Sequence, residues 1–113
     1  MSNKDTLNII LNIVVEELKN IFGAKLKQVI LYGSYARGDY DKESDIDIFV
    51  LVDMEQNKLS SYQKHLVKLI TKINLEYDVV LSIHDQVYNT FYIWNDVLPF
   101  YKNLMREGVV VHS

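Results

Sequence analysis

Residues 27–52 read KQVILYGSYARGDYDKESDIDIFVLV, and the order of patterns in this stretch decides the fold. Lys27 to Tyr32, rich in Val, Ile, Leu and Tyr, predicts a short strand that Gly33 closes with a turn. After a polar, acidic loop from Asp39 to Ser44, residues 45–52 predict a second strand, with β-branched Ile46, Ile48, Val50 and Val52 at every second position. Successive strand side chains point to opposite faces. Asp45 and Asp47 therefore fall together on the face opposite that apolar row.

Working outward, Leu7, Ile10, Leu11, Val14, Val15, Leu18 and Ile21 recur at helical spacing, and Gly23 stands where a left-handed cap would end the helix. Downstream, Leu59, Tyr62, Leu66, Leu69, Ile70 and Ile73 mark a second helix, and Tyr77 to Ile83 a third strand interrupted by Asp78. Asp96 can cap a last helix with Pro99 in its first turn, and Gly108 can end it before the apolar tail Val109 to Val111. This order implies an α/β (α+β) chain: one domain over residues 1–113, with a small mixed sheet and helices packed on it.

The composition narrows the function. A chain of 113 residues has room for one modest core, and 49% hydrophobic with 24% charged residues is ordinary for a soluble protein. No apolar run approaches the ~20 residues of a membrane span. The start, Met1 to Asp5, lacks the basic-then-apolar pattern of an export signal. With no cysteine there are no disulfides or thiolate metal sites, which fits a cytoplasmic location. A net charge of −3 argues against direct nucleic-acid binding, which rests on Lys and Arg neutralising phosphates.

Two carboxylates on one face of a strand repel each other unless a cation sits between them. Mg²⁺ suits such a pair, because it takes one or two carboxylates and completes its shell with water and substrate phosphates. A bare Asp-x-Asp is also read as solvated acids at a strand end, and Gly33-Ser34 alone as a tight turn with Ser34 as a helix cap. Together they carry more weight, since a turn from Gly33 into Tyr35-Ala36-Arg37 presents backbone N–H groups and a hydroxyl to an anion. Arg37 can add a guanidinium for phosphate or simply pair with Asp39. Ser44 is expected to orient the loop entering Asp45.

Gly33-Ser34-Tyr35-Ala36-Arg37-Gly38 followed by Ser44-Asp45-Ile46-Asp47-Ile48 resembles the signature of the minimal nucleotidyltransferase family, within the DNA polymerase beta superfamily. The likeness covers nearly the whole chain, including Tyr101-Lys102-Asn103 and Glu107-Gly108-Val109. It implies a polymerase beta-like fold in which Gly33, Ser34, Arg37 and Ser44 bind the nucleotide. Asp45, Asp47 and Asp78 would be catalytic and hold Mg²⁺, two ions in the family pattern. Asp78 matches the third carboxylate on the following strand, with Glu76 and Asp85 as rivals.

The resemblance further implies an antitoxin that moves AMP from ATP onto a tyrosine of a HEPN-domain ribonuclease toxin, in an oligomeric complex with it. Two alternatives stand beside it: nucleotidylation of a small molecule such as an aminoglycoside, and neutralisation of a toxin by binding alone. His65, His84 and His112 show no zinc spacing and read as surface or packing residues. Tyr88, Phe91, Tyr92, Trp94, Phe100 and Tyr101 read mostly as core, and any exposed part as a protein-binding surface.

Overall fold

The computed structural model describes residues 4–41 and 43–113. Met1 to Asn3, where the reading for an export signal begins, and Lys42 of the acidic loop lie outside them. The helical apolar stripe near the start forms α1 (Lys4–Phe22), burying Leu7, Ile10, Leu11, Val14, Leu18 and Phe22. Gly23, with φ 57°, turns the chain out of α1. Strand β1 (Leu26–Tyr32) follows, then the one-turn helix α2 (Ser34–Arg37) and strand β2 (Ile46–Val52). Helices α3 (Gln56–Ser60) and α4 (Gln63–Tyr77) cross over to β3 (Leu81–Val87). The chain closes with α5 (Tyr88–Trp94), α6 (Pro99–Glu107) and β4 (Val109–His112).

Among the described residues the strands form one mixed sheet in the order β3-β2-β1-β4. β1 is antiparallel to both β2 and β4, whereas β2 and β3 run parallel, as a helical crossover requires. The two faces divide the core. Ile46, Ile48, Val50 and Val52, all fully buried, pack with the stripe of α1 and with Leu66, Leu69 and Ile73 of α4. Ile30, Phe49 and Leu51 face the other way, against Phe91 of α5 and Leu104 of α6. Burial of each such side chain contributes roughly 1.5–3 kcal/mol. The chosen register is what keeps Asp47 on the thinner, second layer. No helix among the described residues is long and apolar enough to cross a membrane.

Several sequence expectations are corrected. The helix expected through Leu59 and Ile73 breaks into α3 and α4, because Ser60 and Ser61 donate their hydroxyls to Gln56 and Lys58 carbonyls at 2.9 and 2.6 Å and compete with the helix. The strand expected from Tyr77 begins only at Leu81. Tyr77 instead continues the stripe of Ile73 in α4, and Asp78 takes a left-handed φ of 53° as its C-cap. Asp tolerates that conformation better than most residues. The Leu81 N–H then donates to Asn74 Oδ1 at 2.8 Å, which joins the end of α4 to the start of β3.

Leu98 rather than Asp96 precedes α6, its extended backbone set by the following Pro99. The apolar tail is edge strand β4. The aromatic cluster is split: Phe91 is buried, Tyr88 and Tyr101 are half-buried, and Tyr92, Trp94 and Phe100 are exposed.

Candidate active site

The site forms where β1 ends and β2 begins. Tyr32 lies opposite Asp47 in the β1–β2 register, so the residue after it, Gly33, turns directly beside that carboxylate. Gly33 has φ 74° and ψ −155°, a combination essentially restricted to glycine. A Cβ at this position would collide with Asp47 Oδ2. The turn is held from inside by the Gly33 carbonyl, which accepts the Ala36 and Arg37 N–H groups, each at 3.1 Å. Gly38, also left-handed at φ 83°, ends the short helix by donating to the Ser34 carbonyl at 2.9 Å.

The loop back to β2 is braced where Ser44 was expected to act. Ser44 Oγ accepts the Asp41 N–H at 3.0 Å, and the Ser44 N–H donates to the Asp41 carbonyl at 3.1 Å. Asp41 Oδ1 also accepts the Glu43 N–H at 2.8 Å. Asp45 emerges from this loop exposed, and Asp47 follows half-buried.

Asp47 stands where its negative charge is disfavoured. Burial, and then the neighbouring Asp45, push the Asp47 carboxyl above its usual range, while His84 and Arg37 pull it back. The Tyr32 hydroxyl is pushed up to about 12, by burial first and Asp47 second. An added cation would relieve both. Arg37 Nε donates to Asp39 Oδ2 at 3.2 Å on the surface, so the pairing and the contribution to the site coexist in one side chain.

Asp78 is exposed at the α4 C-cap, before the strand that pairs with β2, and is not among the groups acting on Asp47. Among the described residues no three His, Asp or Glu side chains converge closely enough to hold a metal without further ligands. Two carboxylates with substrate phosphates as the remaining ligands is the donor set Mg²⁺ prefers, so the residues present fit the ion.

His84, read from the sequence as a surface or packing residue, is exposed as expected, and what the sequence did not give is its place beside the pair. It is opposite Phe49 in the β2–β3 register, on the same face as Asp47, and its ring centroid is 6.2 Å from that of Tyr32. Its position followed from the start of β3. With the strand placed from Tyr77 the register against β2 could not be read, although the alternation Ser82, His84, Gln86 was visible.

The model of the nucleotidyltransferase domain family matches residues 11–111. The chain belongs to that family. This makes it a nucleotidyltransferase, with the mixed α/β fold expected from the resemblance. The chain is 35% identical over 101 residues to "Putative protein adenylyltransferase MJ0604" of Methanocaldococcus jannaschii, covering 87% of this chain and 90% of that protein. A second protein of that organism, "Putative protein adenylyltransferase MJ0141", is 45% identical over 67 residues, 59% of this chain and 66% of its own length. In fold, the chain matches a crystal structure of a toxin–antitoxin with AMP-PNP at a TM-score of 0.59 and 20% identity, covering 91% of this chain and 73% of that one.

Proposed function

We propose that this nucleotidyltransferase transfers AMP from Mg²⁺-bound ATP to a tyrosine hydroxyl of a cognate HEPN-domain ribonuclease toxin, and so acts in the cytoplasm as its antitoxin. One observation carries the enzymatic reading: the glycine-only turn at Gly33 abuts the Asp47 carboxylate, joining a phosphate-binding turn to a cation-binding pair. The names of the relatives support a protein acceptor, and the matched toxin–antitoxin structure supports the assembly. Tyr92, Ile93, Trp94, Val97 and Leu98 are exposed together on α5 and the turn after it, a patch suited to a protein partner.

Asp45 and Asp47 would hold the Mg²⁺ ions. When bound, these neutralise the triphosphate and stabilise the attacking and leaving oxygens of an in-line displacement. Gly33 and Ser34 cradle the phosphates, Arg37 offsets their charge, and the Ser44–Asp41 brace fixes the direction in which Asp45 enters. His84 accepts the hydrogen bond of the incoming hydroxyl and aligns it, while Asp78, which the resemblance makes a third catalytic carboxylate, is exposed at the α4 C-cap. Comparing two variants separates these roles. His84→Gln is expected to lower transfer by about 10²- to 10⁴-fold, the range for a lost proton-handling group, and Asp78→Asn by less than about threefold. Asn accepts the left-handed cap conformation as readily as Asp, so the second variant keeps the fold.

The reading is tested by incubating the protein with Mg²⁺, α-labelled ATP and extract of its own host. Label on a single protein band identifies the acceptor, and mass spectrometry of that band should place AMP on tyrosine. No label on any protein or small molecule, with all four NTPs and with Mn²⁺ as well, leaves neutralisation by binding alone.

A further inference from the structure

Helix α6 turns an unusual stripe toward the phosphate turn. Phe100, Asn103, Leu104 and Glu107 stand at i, i+3, i+4 and i+7, the positions that are apolar when a helix only packs. Here Asn103 and Glu107 interrupt the pattern. All four line a cleft of about 270 Å³ whose other wall is Tyr32, Gly33 and Arg37. The cleft is therefore continuous with the carboxylate site, because Tyr32 is opposite Asp47 and Gly33 abuts it.

Glu107 is also misplaced for stability alone. It lies in the last turn of α6, where the helix dipole disfavours an anion, and among the described residues it makes no ion pair. Asn103 is oriented by Arg106, whose Nη2 donates to its Oδ1 at 2.8 Å. That leaves its amide N–H₂ available as a donor next to the acceptor-only carboxylate. The Phe100 ring is 45% exposed and meets Tyr32 edge-on at 5.8 Å, so an aromatic face is open beside these polar groups.

We infer that this cleft is the subsite for the base of the nucleotide donor and that it takes a purine. The assignment rests on the nucleotidyltransferase reading of the neighbouring carboxylates. A carboxylate repels phosphate, so the triphosphate lies toward Gly33 and Arg37 and the base toward α6. Purines present a large π-face for Phe100 and an edge that combines amine or ring N–H donors for Glu107 with ring-nitrogen or carbonyl acceptors for Asn103.

Calorimetric titration with the Mg²⁺ complexes of ATP, GTP, CTP, UTP and inorganic tripolyphosphate tests it on the wild type, Asn103→Ala and Phe100→Ala. The wild type is expected to bind ATP or GTP about tenfold or more tightly than CTP, UTP and tripolyphosphate. Both variants should lose that advantage and keep the tripolyphosphate affinity. Asn103 is exposed, so its variant retains the fold even if Phe100→Ala does not. Equal binding of all five ligands by the wild type, or a purine advantage that survives Asn103→Ala, overturns the base subsite while leaving the phosphate site standing. Failure of the wild type to bind any of the five, tripolyphosphate included, overturns the nucleotide site and the subsite together.

Discussion

Asp47→Asn is expected to lower nucleotidyl transfer by about 10³-fold or more, while leaving the metal-free protein slightly more stable at neutral pH than the wild type. The loss follows from removing half of the cation-binding pair. The gain follows from the direction of the shift: burial and Asp45 raise the Asp47 carboxyl in the folded state. An acid whose folded pKa is raised contributes stability below its unfolded pKa and loses it as pH rises through the folded value. At neutral pH the wild type therefore holds an ionised Asp47 at a cost, which the amide does not incur. Because Asp47 is only half-buried the effect is modest, roughly 1–3 °C in the melting temperature. The difference should vanish below the carboxylate range, where the wild-type acid is protonated. Mg²⁺ should stabilise the wild type and not the variant. A variant that is inactive because it is unfolded would melt lower instead, so calorimetry across pH together with the transfer assay checks both halves.

The parts legible in the sequence were those governed by short-range pattern. The alternation of Ile46, Ile48, Val50 and Val52 gave β2 its buried face and placed Asp47 opposite, because a one-residue slip would have put four β-branched residues into the thinner layer. Gly33 announced a turn, and its backbone proved to need glycine. The less legible parts depended on partners distant in sequence. Val109 to His112 is too short to read as a strand, and forms β4 only because the edge of β1 is there to pair with it. Tyr77 and Asp78 carry a strand-like neighbourhood, but packing of Tyr77 beside Ile73 extends α4 and moves the start of β3 by four residues, from 77 to 81. That displacement removed Asp78 from the expected strand and brought His84 to the face of Asp47. The family resemblance supplied the chemistry of the two carboxylates. It could not show that α6 presents Asn103 and Glu107 to the same cleft.

Gly33→Ala is expected to be strongly damaging, and the structure separates two reasons for it. The backbone at φ 74° and ψ −155° is strained for any residue with a Cβ, which costs about 1–3 kcal/mol. The new methyl also collides with Asp47 Oδ2, so the carboxylate or the turn must move. A shift of about 1 Å in a reacting group can cost ~10² in rate, so transfer should fall at least that far, with melting lowered by roughly 5–15 °C. Gly38→Ala isolates the first reason. Gly38 is left-handed at φ 83°, but nothing lies within 4 Å of its added Cβ. Its cost should stay near 1 kcal/mol with transfer retained. The second reason is isolated by coupling: in an Asp47→Ala background the colliding oxygen is absent, so Gly33→Ala should destabilise by less than it does in the wild type. A double-mutant cycle on thermal stability measures that difference directly. Strict additivity would mean that turn and carboxylate do not touch, and would remove the juxtaposition on which the enzymatic reading is built.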